Sequence, residues 1–342
     1  MKWSIRASMT AGAVLTLIGA VAAAAQEVGA PLTLEQSIAV ALRQSVAVRS
    51  AREGVAAAEA RRKEAFTGFL PKLSTSYNYT RLNEEPFVRL DPPIGEKITG
   101  TENNYTWSLD ARQPLFTGGR VKAGYDIQRL GVDASKHEEL GVVQDTVLEV
   151  KRSYFTILKA KRLVGVARQS VEQLEAQRDL ARSFYEVGIV PRNDYLQAEV
   201  RLADGMQGLV RAQNRLLEAR ARFNTVLRRP IDAPADVEDI LDYRPDERTF
   251  EQCLKTALEN RPEIRLYAAR VEQAEKRVKV VESEFYPSLN VVGSYQRYGD
   301  DGGLNGSKYR DPENWSVAAV ATWDLWEWGR TKYARDATVS QE

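Results

Sequence analysis

The chain has 342 residues with 48 basic and 47 acidic side chains, one histidine and one cysteine. So even a balance carries no nucleic-acid footprint, and a single thiol, Cys253, excludes an intrachain disulfide. His137, flanked by Lys136, Glu138 and Glu139, has no second His or Cys to share a metal or to support general-base chemistry.

The N-terminus has the form of an export signal, taken as residues 1–25. Lys2 and Arg6 precede a short apolar run, Ala11–Val21, and Ala22–Ala25 offers small residues for cleavage before Gln26. Removing Lys2 and Arg6 leaves a net charge near −1. No Cys near the cleavage region could carry a lipid. The apolar run is too short to span a bilayer, and no later run reaches the ~20 residues a spanning helix needs. If this protein is in a membrane, it crosses as strands.

Beyond the signal the chain repeats itself. Leu32–Leu82 overlays Arg248–Tyr298 at an offset of 216 residues without a gap. Thr33-Leu34-Glu35-Gln36 meets Thr249-Phe250-Glu251-Gln252, and Phe69, Pro71, Leu73 and Tyr79 meet Phe285, Pro287, Leu289 and Tyr295. Such a period is that of a duplicated half-protein, not a solenoid unit. The halves are 26–247 and 248–342, the second incomplete.

In chain order, Leu32–Thr67 predicts an Ala-rich helix closed by Gly68 and Pro71. Strict alternation follows, with Leu73, Thr75, Tyr77 and Tyr79 on one face and Lys72, Ser74, Ser76, Asn78 and Thr80 on the other. A polar loop, Asn83–Thr101, separates it from a second alternating run. There Tyr105, Trp107, Leu109 and Ala111 oppose Thr106, Ser108, Asp110 and Arg112. Strands of this kind, apolar on one face and aromatic near the ends, match a transmembrane barrel wall; a half-buried soluble sheet shows the same alternation.

From Gly118 to Val187 the pattern is helical. Val143, Val150, Ile157, Val164 and Val171 recur every seventh residue with Leu140, Val147 and Tyr154 as companions, a coiled-coil seam. Such a helix is roughly 105 Å long. A break at Val187-Gly188-Ile189-Val190-Pro191 precedes a helix capped by Asn193 or Asp194 and ending near Arg229. Helices 32–67 and 192–229, roughly 54 and 57 Å long, together match the long one. After the linker Ile231–Glu247, the second copy supplies a helix from Thr249 to about Glu284. Two more alternating runs follow, around a loop at Gly299–Asn314. Trp315 lies on the second run, and Trp323, Trp326 and Trp328 cluster where it should leave a bilayer.

Four strands cannot enclose a lumen, and open sheet edges cannot face lipid. The chain therefore needs copies of itself; three would supply twelve strands, a size that leaves a hole.

Phe69-Leu70-Pro71-Lys72-Leu73, Gln113-Pro114-Leu115-Phe116-Thr117-Gly118-Gly119-Arg120 and Val187-Gly188-Ile189-Val190-Pro191-Arg192-Asn193-Asp194 together resemble the outer membrane efflux protein (TolC) family. Phe285-Tyr286-Pro287-Ser288-Leu289 and Trp323-Asp324-Leu325-Trp326-Glu327-Trp328-Gly329-Arg330 repeat the first two motifs. The resemblance implies an α-helical plus membrane β-barrel fold: a homotrimer with a twelve-strand barrel in outer-membrane lipid and a helical barrel in the periplasm. It implies a passive exit duct of a tripartite efflux pump or type I secretion system. An inner-membrane pump or ABC transporter would be reached through an adaptor protein, and no cofactor is implied. Val187, Gly188, Ile189 and Asp194 would form the adaptor-contacting tip. Gly118, Gly119, Arg120, Gly329 and Arg330 would form strand-to-helix corners, and Lys72, Asp110 and Arg112 would line the lumen. Tyr77, Tyr79, Trp107, Trp315, Trp323 and Trp326 would form the aromatic belts.

The first copy continues for about a hundred residues beyond its corner, whereas the given chain stops at Glu342, so the reading expects a truncated product or a continuing gene. Gate residues on a second tip are not assigned. No phosphate-binding loop, paired His ligands or Gly-x-Ser-x-Gly motif appears, so no enzyme is read. The alternatives are a periplasmic coiled-coil scaffold or a non-functional channel fragment.

Overall fold

A computed structural model describes residues 31–341 apart from Pro92, Ile94, Tyr243 and Arg244; the export signal lies outside the described residues. The first helical segment does not run unbroken. It divides into α1 (Leu34–Gln44) and α2 (Val46–Phe66), because Ser45 is extended (φ −61°, ψ 118°) and its hydroxyl accepts from the Val48 amide. A good N-cap here outweighs continuous helix propensity.

The long element α3 (Arg120–Glu186) has 67 residues, and α4 runs over Arg192–Val226. The second copy contains α5 (Phe250–Asn260) and α6 (Pro262–Glu282), broken at extended Arg261 (φ −68°, ψ 125°), with Pro262 opening α6. Proline suits that first helical position because its missing N–H would have no partner there. Thr249 and Gln252 form a capping box before α5, and Thr33 and Gln36 exchange the same two hydrogen bonds before α1. The bounds of α5, α6 and the 3-10 turn Ser283–Phe285 lie 216 residues after those of α1, α2 and the turn Thr67–Phe69.

Among the described residues six strands form in chain order: β1 (Lys72–Arg81), β2 (Phe87–Leu90), β3 (Gly95–Ile98), β4 (Asn103–Phe116), β5 (Ser288–Gly299) and β6 (Glu313–Thr322). β2 and β3 pair as a small hairpin inside the segment expected to be loop. Four residues per strand show too little alternation to be recognised in sequence. The other four strands form one antiparallel sheet in the order β1-β4-β5-β6. Pro114 sits where the β4–β5 register shifts, between Pro114 and Phe116, the kind of bulge where a residue without an N–H is tolerated. A last helix, α7, covers Arg330–Val339.

The described residues divide into two compact units. The first contains 31–36, Ile157–Asn224 and Pro230–Ile240. Its fully buried side chains include Ile157, Leu158, Phe223 and Val237. The segment after α4 is tied down: Asn224 Nδ2 donates to the carbonyls of Ile231 (3.2 Å) and Ala233 (2.8 Å), and Leu32 bridges Val237 in parallel. Lys161 pairs with Asp236 at 3.1 Å.

The second unit contains Ser37–Thr156, Thr225–Arg229 and 241–341, and so holds the whole sheet. Here α3 packs Tyr125 edge-on against Phe66 and Phe69, and Gln273 of α6 donates to the Ile127 carbonyl at 2.8 Å. The expected heptad seam holds only in part. Val150 and Tyr154 are buried, but Leu140 is 52% exposed and Leu158, off the seam, is buried. A straight helix drifts ~20° per heptad against a 3.5-residue repeat, so the buried face moves off a fixed heptad column.

Both strand-to-helix corners share one backbone shape. Gly118 and Gly119 have φ of 61° and 89°, and Trp328 and Gly329 have 52° and 81°. The Arg120 amide then donates to Thr117 and the Arg330 amide to Glu327, each at 3.0 Å. A Cβ on Gly118 would lie 2.4 Å from the Ser283 carbonyl oxygen, whereas one on Gly119 meets nothing within 4 Å. Gly119→Ala should therefore cost only the left-handed backbone penalty, about 1–2 kcal/mol. Gly118→Ala should lower the thermal midpoint further, because the sheet and the Ser283 turn must also separate. Equal melting shifts for the two variants would contradict that close approach.

Candidate functional site

The sheet has two chemically distinct faces, and its register places their residues in rungs. On one face Lys72, Arg112, Val292 and Ala318 align across the strands, followed by Ser74, Asp110, Ser294 and Ser316, then Ser76, Ser108, Gln296 and Asn314. On the other, Leu73, Ala111, Gly293 and Val317 align, followed by Thr75, Leu109, Tyr295 and Trp315, then Tyr77, Trp107, Arg297 and Glu313. Period-2 side-chain alternation, carried through four antiparallel strands, produces this segregation.

The polar face is a hydrogen-bonded network. Asp110 accepts from Ser294 Oγ at 2.7 Å and from Ser108 Oγ at 2.9 Å, and the Ser76 and Ser108 hydroxyls are 3.0 Å apart. One rung away, Arg112 Nε donates to Asn290 Oδ1 at 3.4 Å and Lys72 is exposed. Lys72, Asp110 and Arg112 thus share one face on adjacent rungs. Ser294 and Asn290, the second-copy partners of Asp110 and Arg112, were not singled out from sequence, because only the strand register aligns them.

The apolar face carries Tyr77, Tyr79, Trp107 and Trp315. Tyr79 stacks near Tyr105 (4.6 Å between centroids), and Trp107 meets Tyr295 edge-on at 6.0 Å. Trp323 and Trp326 lie beyond the end of β6, where the Trp323 indole N–H donates to the Phe285 carbonyl at 3.2 Å. Gln113 makes the corresponding bond to Phe69 at 3.0 Å. Arg297 and Glu313, paired in the strand register, put charge on this face in the rung of Tyr77 and Trp107, one rung before Tyr79 and Tyr105; they too were missed, as isolated charges in a mixed segment.

At the α3–α4 turn the helix closes with a Schellman motif. Gly188 is left-handed (φ 78°), its amide donates to Tyr185 at 3.0 Å, and the Ile189 amide donates to Phe184 at 2.8 Å. Val187 and Ile189 are each 68% exposed. α4 starts at Arg192, so Asn193 and Asp194 are not its cap; Asp194 lies in the first turn, where a carboxylate favours the helix dipole. The Asp194 amide already donates to the Pro191 carbonyl at 3.1 Å, so the first turn closes on Pro191, ahead of the expected cap. Tyr185 and Tyr195 stack at 5.9 Å with rings 7° apart, and the Tyr195 phenol, donating to Glu199, is held above its usual pKa.

The corner residues Gly118, Gly119, Arg120, Gly329 and Arg330 all occupy the two turns described above. Arg330 donates to Glu327 at 2.7 Å and to Glu284 at 3.1 Å, and its hydrogen bond holds the Glu327 carboxyl below the ordinary range. Among the described residues no group of three or more His, Cys, Asp or Glu could hold a metal ion. No helix among them is long and apolar enough to cross a membrane.

Residues 38–227 and 253–342 match the pattern of the family described as outer membrane efflux protein. The chain is 22% identical over 301 residues to outer membrane efflux protein BepC of Brucella suis biovar 1 (strain 1330), covering 87% of this chain and 62% of that protein. It is 26% identical over 265 residues to nodulation protein T of Rhizobium leguminosarum bv. viciae, covering 77% and 52%. The chain thus spans about half to three-fifths of the length of these relatives. Among solved structures, the outer-membrane channel OprN superposes with a TM-score of 0.74 at 20% identity, covering 90% of this chain and 68% of that one. CusC gives 0.75 at 16% identity, covering 90% and 69%. The MtrE outer membrane channel of Neisseria gonorrhoeae gives 0.70 at 20%, covering 90% and 67%. A polar-and-apolar four-stranded sheet joined through glycine corners to the 67-residue α3 and the 10-residue α7, together with a family match over most of the chain, makes this protein a member of the outer membrane efflux protein family.

Proposed function

We propose that this chain is a wall subunit of an outer-membrane efflux channel, three copies of which close a twelve-strand barrel. The observation that carries the reading is the sheet itself: an aromatic apolar face, a hydrogen-bonded polar face, and two edges, β1 and β6, with no strand partner among the described residues. Lipid supplies no hydrogen bonds, so a spanning sheet must close on itself. From Leu289 to Gly299 the strand rises roughly 33 Å, or about 25 Å along a membrane normal at a tilt of ~40°. That is the height of an outer-membrane apolar band.

In this reading the chain is exported by its signal, repeats 26–247 and 248–342 each contribute one barrel hairpin, and the helices stand in the periplasm. The channel is passive and takes its driving force from an inner-membrane pump or ABC transporter, as part of a tripartite efflux or type I secretion assembly. The exposed Val187-Gly188-Ile189 turn, with Asp194 beside it, is the adaptor-contacting tip.

Lys72 and Arg112, repeated three times, give the barrel entrance a collar of six cationic groups one rung from three Asp110 carboxylates. Membranes containing the assembled chain should yield a detergent-stable trimer that conducts in planar bilayers. A detergent-independent soluble monomer would overturn the channel reading in favour of a periplasmic scaffold. Under a salt gradient, Arg112→Glu should move the reversal potential toward cation preference; an unchanged potential would remove Arg112 from the conducting lumen. Ile189→Asp should leave the trimer intact and reduce co-purification of a periplasmic adaptor at least tenfold. Undiminished capture would place the adaptor contact elsewhere.

A further inference from the structure

Among the described residues the two strand-to-helix corners are seated differently: the first lies between the turns of both copies, whereas the second meets the turn of its own copy, through Arg330–Glu284 (3.1 Å) and Trp323–Phe285 (3.2 Å). Gly118 lies against the turn Ser283–Phe285, where a Cβ added to it would fall 2.4 Å from the Ser283 carbonyl oxygen and 3.1 Å from Tyr286 Cβ. The second corner has the same backbone, but Trp328 stands where the first has Gly118, and its side chain is 85% exposed. The seat is duplicated too. Thr67–Phe69 is the turn 216 residues before Ser283–Phe285, and Leu70 stands in the place of Tyr286. Thr117 and Arg120 of the first corner and Arg330 of the second all line the cavity of about 270 Å³ beside Ser283, Glu284 and Tyr286. The same Thr117 and Arg120 line a groove of about 760 Å³ beside Thr67, Gly68 and Leu70, and Leu70 itself is 49% exposed.

The sizes at the two places are exchanged. Within the chain the smallest residue, Gly118, meets a large one, Tyr286. Left over are the largest residue, Trp328, and a smaller seat residue, Leu70. With a Cβ at position 328 the in-chain geometry cannot be copied unchanged, because ordinary C···O contacts are no closer than about 3.3 Å. The turn must stand off by about an ångström, and the indole then has room over leucine that tyrosine would deny it.

The strand edges agree. Within the chain Leu109 pairs with Tyr295 and Ala111 with Gly293. The corners are 210 residues apart and the turns 216. Carrying both offsets across the open edges sets Ala319 opposite Tyr79 and Ala321 opposite Tyr77. Small side chains again meet large ones, here two half-exposed tyrosines.

We infer that the Trp328 corner and the Thr67–Leu70 turn are a matched self-recognition pair: Trp328 of one copy packs on Leu70 of the next, with β6 and β1 joined in the register Ala319–Tyr79. The contact is heterologous, so repetition closes a ring. The inference rests on the three-copy reading above and adds the residues that set its register.

Two experiments on the assembled chain in outer-membrane vesicles test it, in a Cys253→Ser background. Oxidation of Ala319→Cys/Tyr79→Cys should give covalent dimers and trimers on non-reducing gels, at least tenfold more than Ala319→Cys/Tyr77→Cys. Leu70→Tyr should lower the trimer's melting temperature, and adding Trp328→Gly should restore most of the loss by rebuilding the glycine–tyrosine pair seen within the chain. A wild-type chain that stays monomeric would sink the three-copy reading and this inference together. A stable wild-type trimer that cross-links through the shifted pair, or whose Leu70→Tyr defect Trp328→Gly deepens, would overturn the inference alone.

Discussion

A β-sheet in lipid has nowhere to leave its backbone N–H and C=O groups, and on the channel reading proposed above that single constraint organises this protein. The sheet β1-β4-β5-β6 satisfies its inner strands through continuous antiparallel registers and leaves its outer strands open. Hydrophobic burial cannot repair an open edge, because apolar side chains do not hydrogen-bond. Closure by further strands does, and in the proposed channel those strands come from another copy of the chain.

The rest of the fold serves the change from a period-2 wall to period-3.6 helices. That change needs a sharp turn with two consecutive left-handed residues at each corner. Glycine fills three of these four positions without strain. Trp328 fills the fourth, where an L-residue costs about 1–2 kcal/mol, and its indole is largely exposed. The two corners share a backbone and differ in side chain, Gly118 in one and Trp328 in the other.

Much of the architecture was legible in the sequence because its periods are long and clean. The alternating runs around Tyr77 and Trp107 became β1 and β4, and the stretch from Gly118 became α3. The misreadings share a cause: local groups overrode periodic ones. Ser45 broke a helix through its side-chain cap, Arg261-Pro262 broke the second copy's helix without one, and α4 began at Arg192, ahead of Asn193 and Asp194, either of which was expected to cap it. The β2–β3 hairpin was too short to declare a period. The heptad seam along α3 named the right face near Val150 and Tyr154 and lost it toward Leu140, as the helix rotated away from a fixed column.

By itself the sequence determined the two faces of the wall, the duplication at 216 residues and the glycine corners, because alternation, self-similarity and left-handed backbone demand are local or periodic properties written in residue order. Only the tertiary structure decided which residues share a rung. The approach of Ser294 to Asp110, of Asn290 to Arg112 and of Ser283 to Gly118 depends on registers and seats between segments more than 160 residues apart. Those contacts are set by hydrogen-bond pairing and packing between distant strands and turns, and no periodicity along one strand encodes its partner.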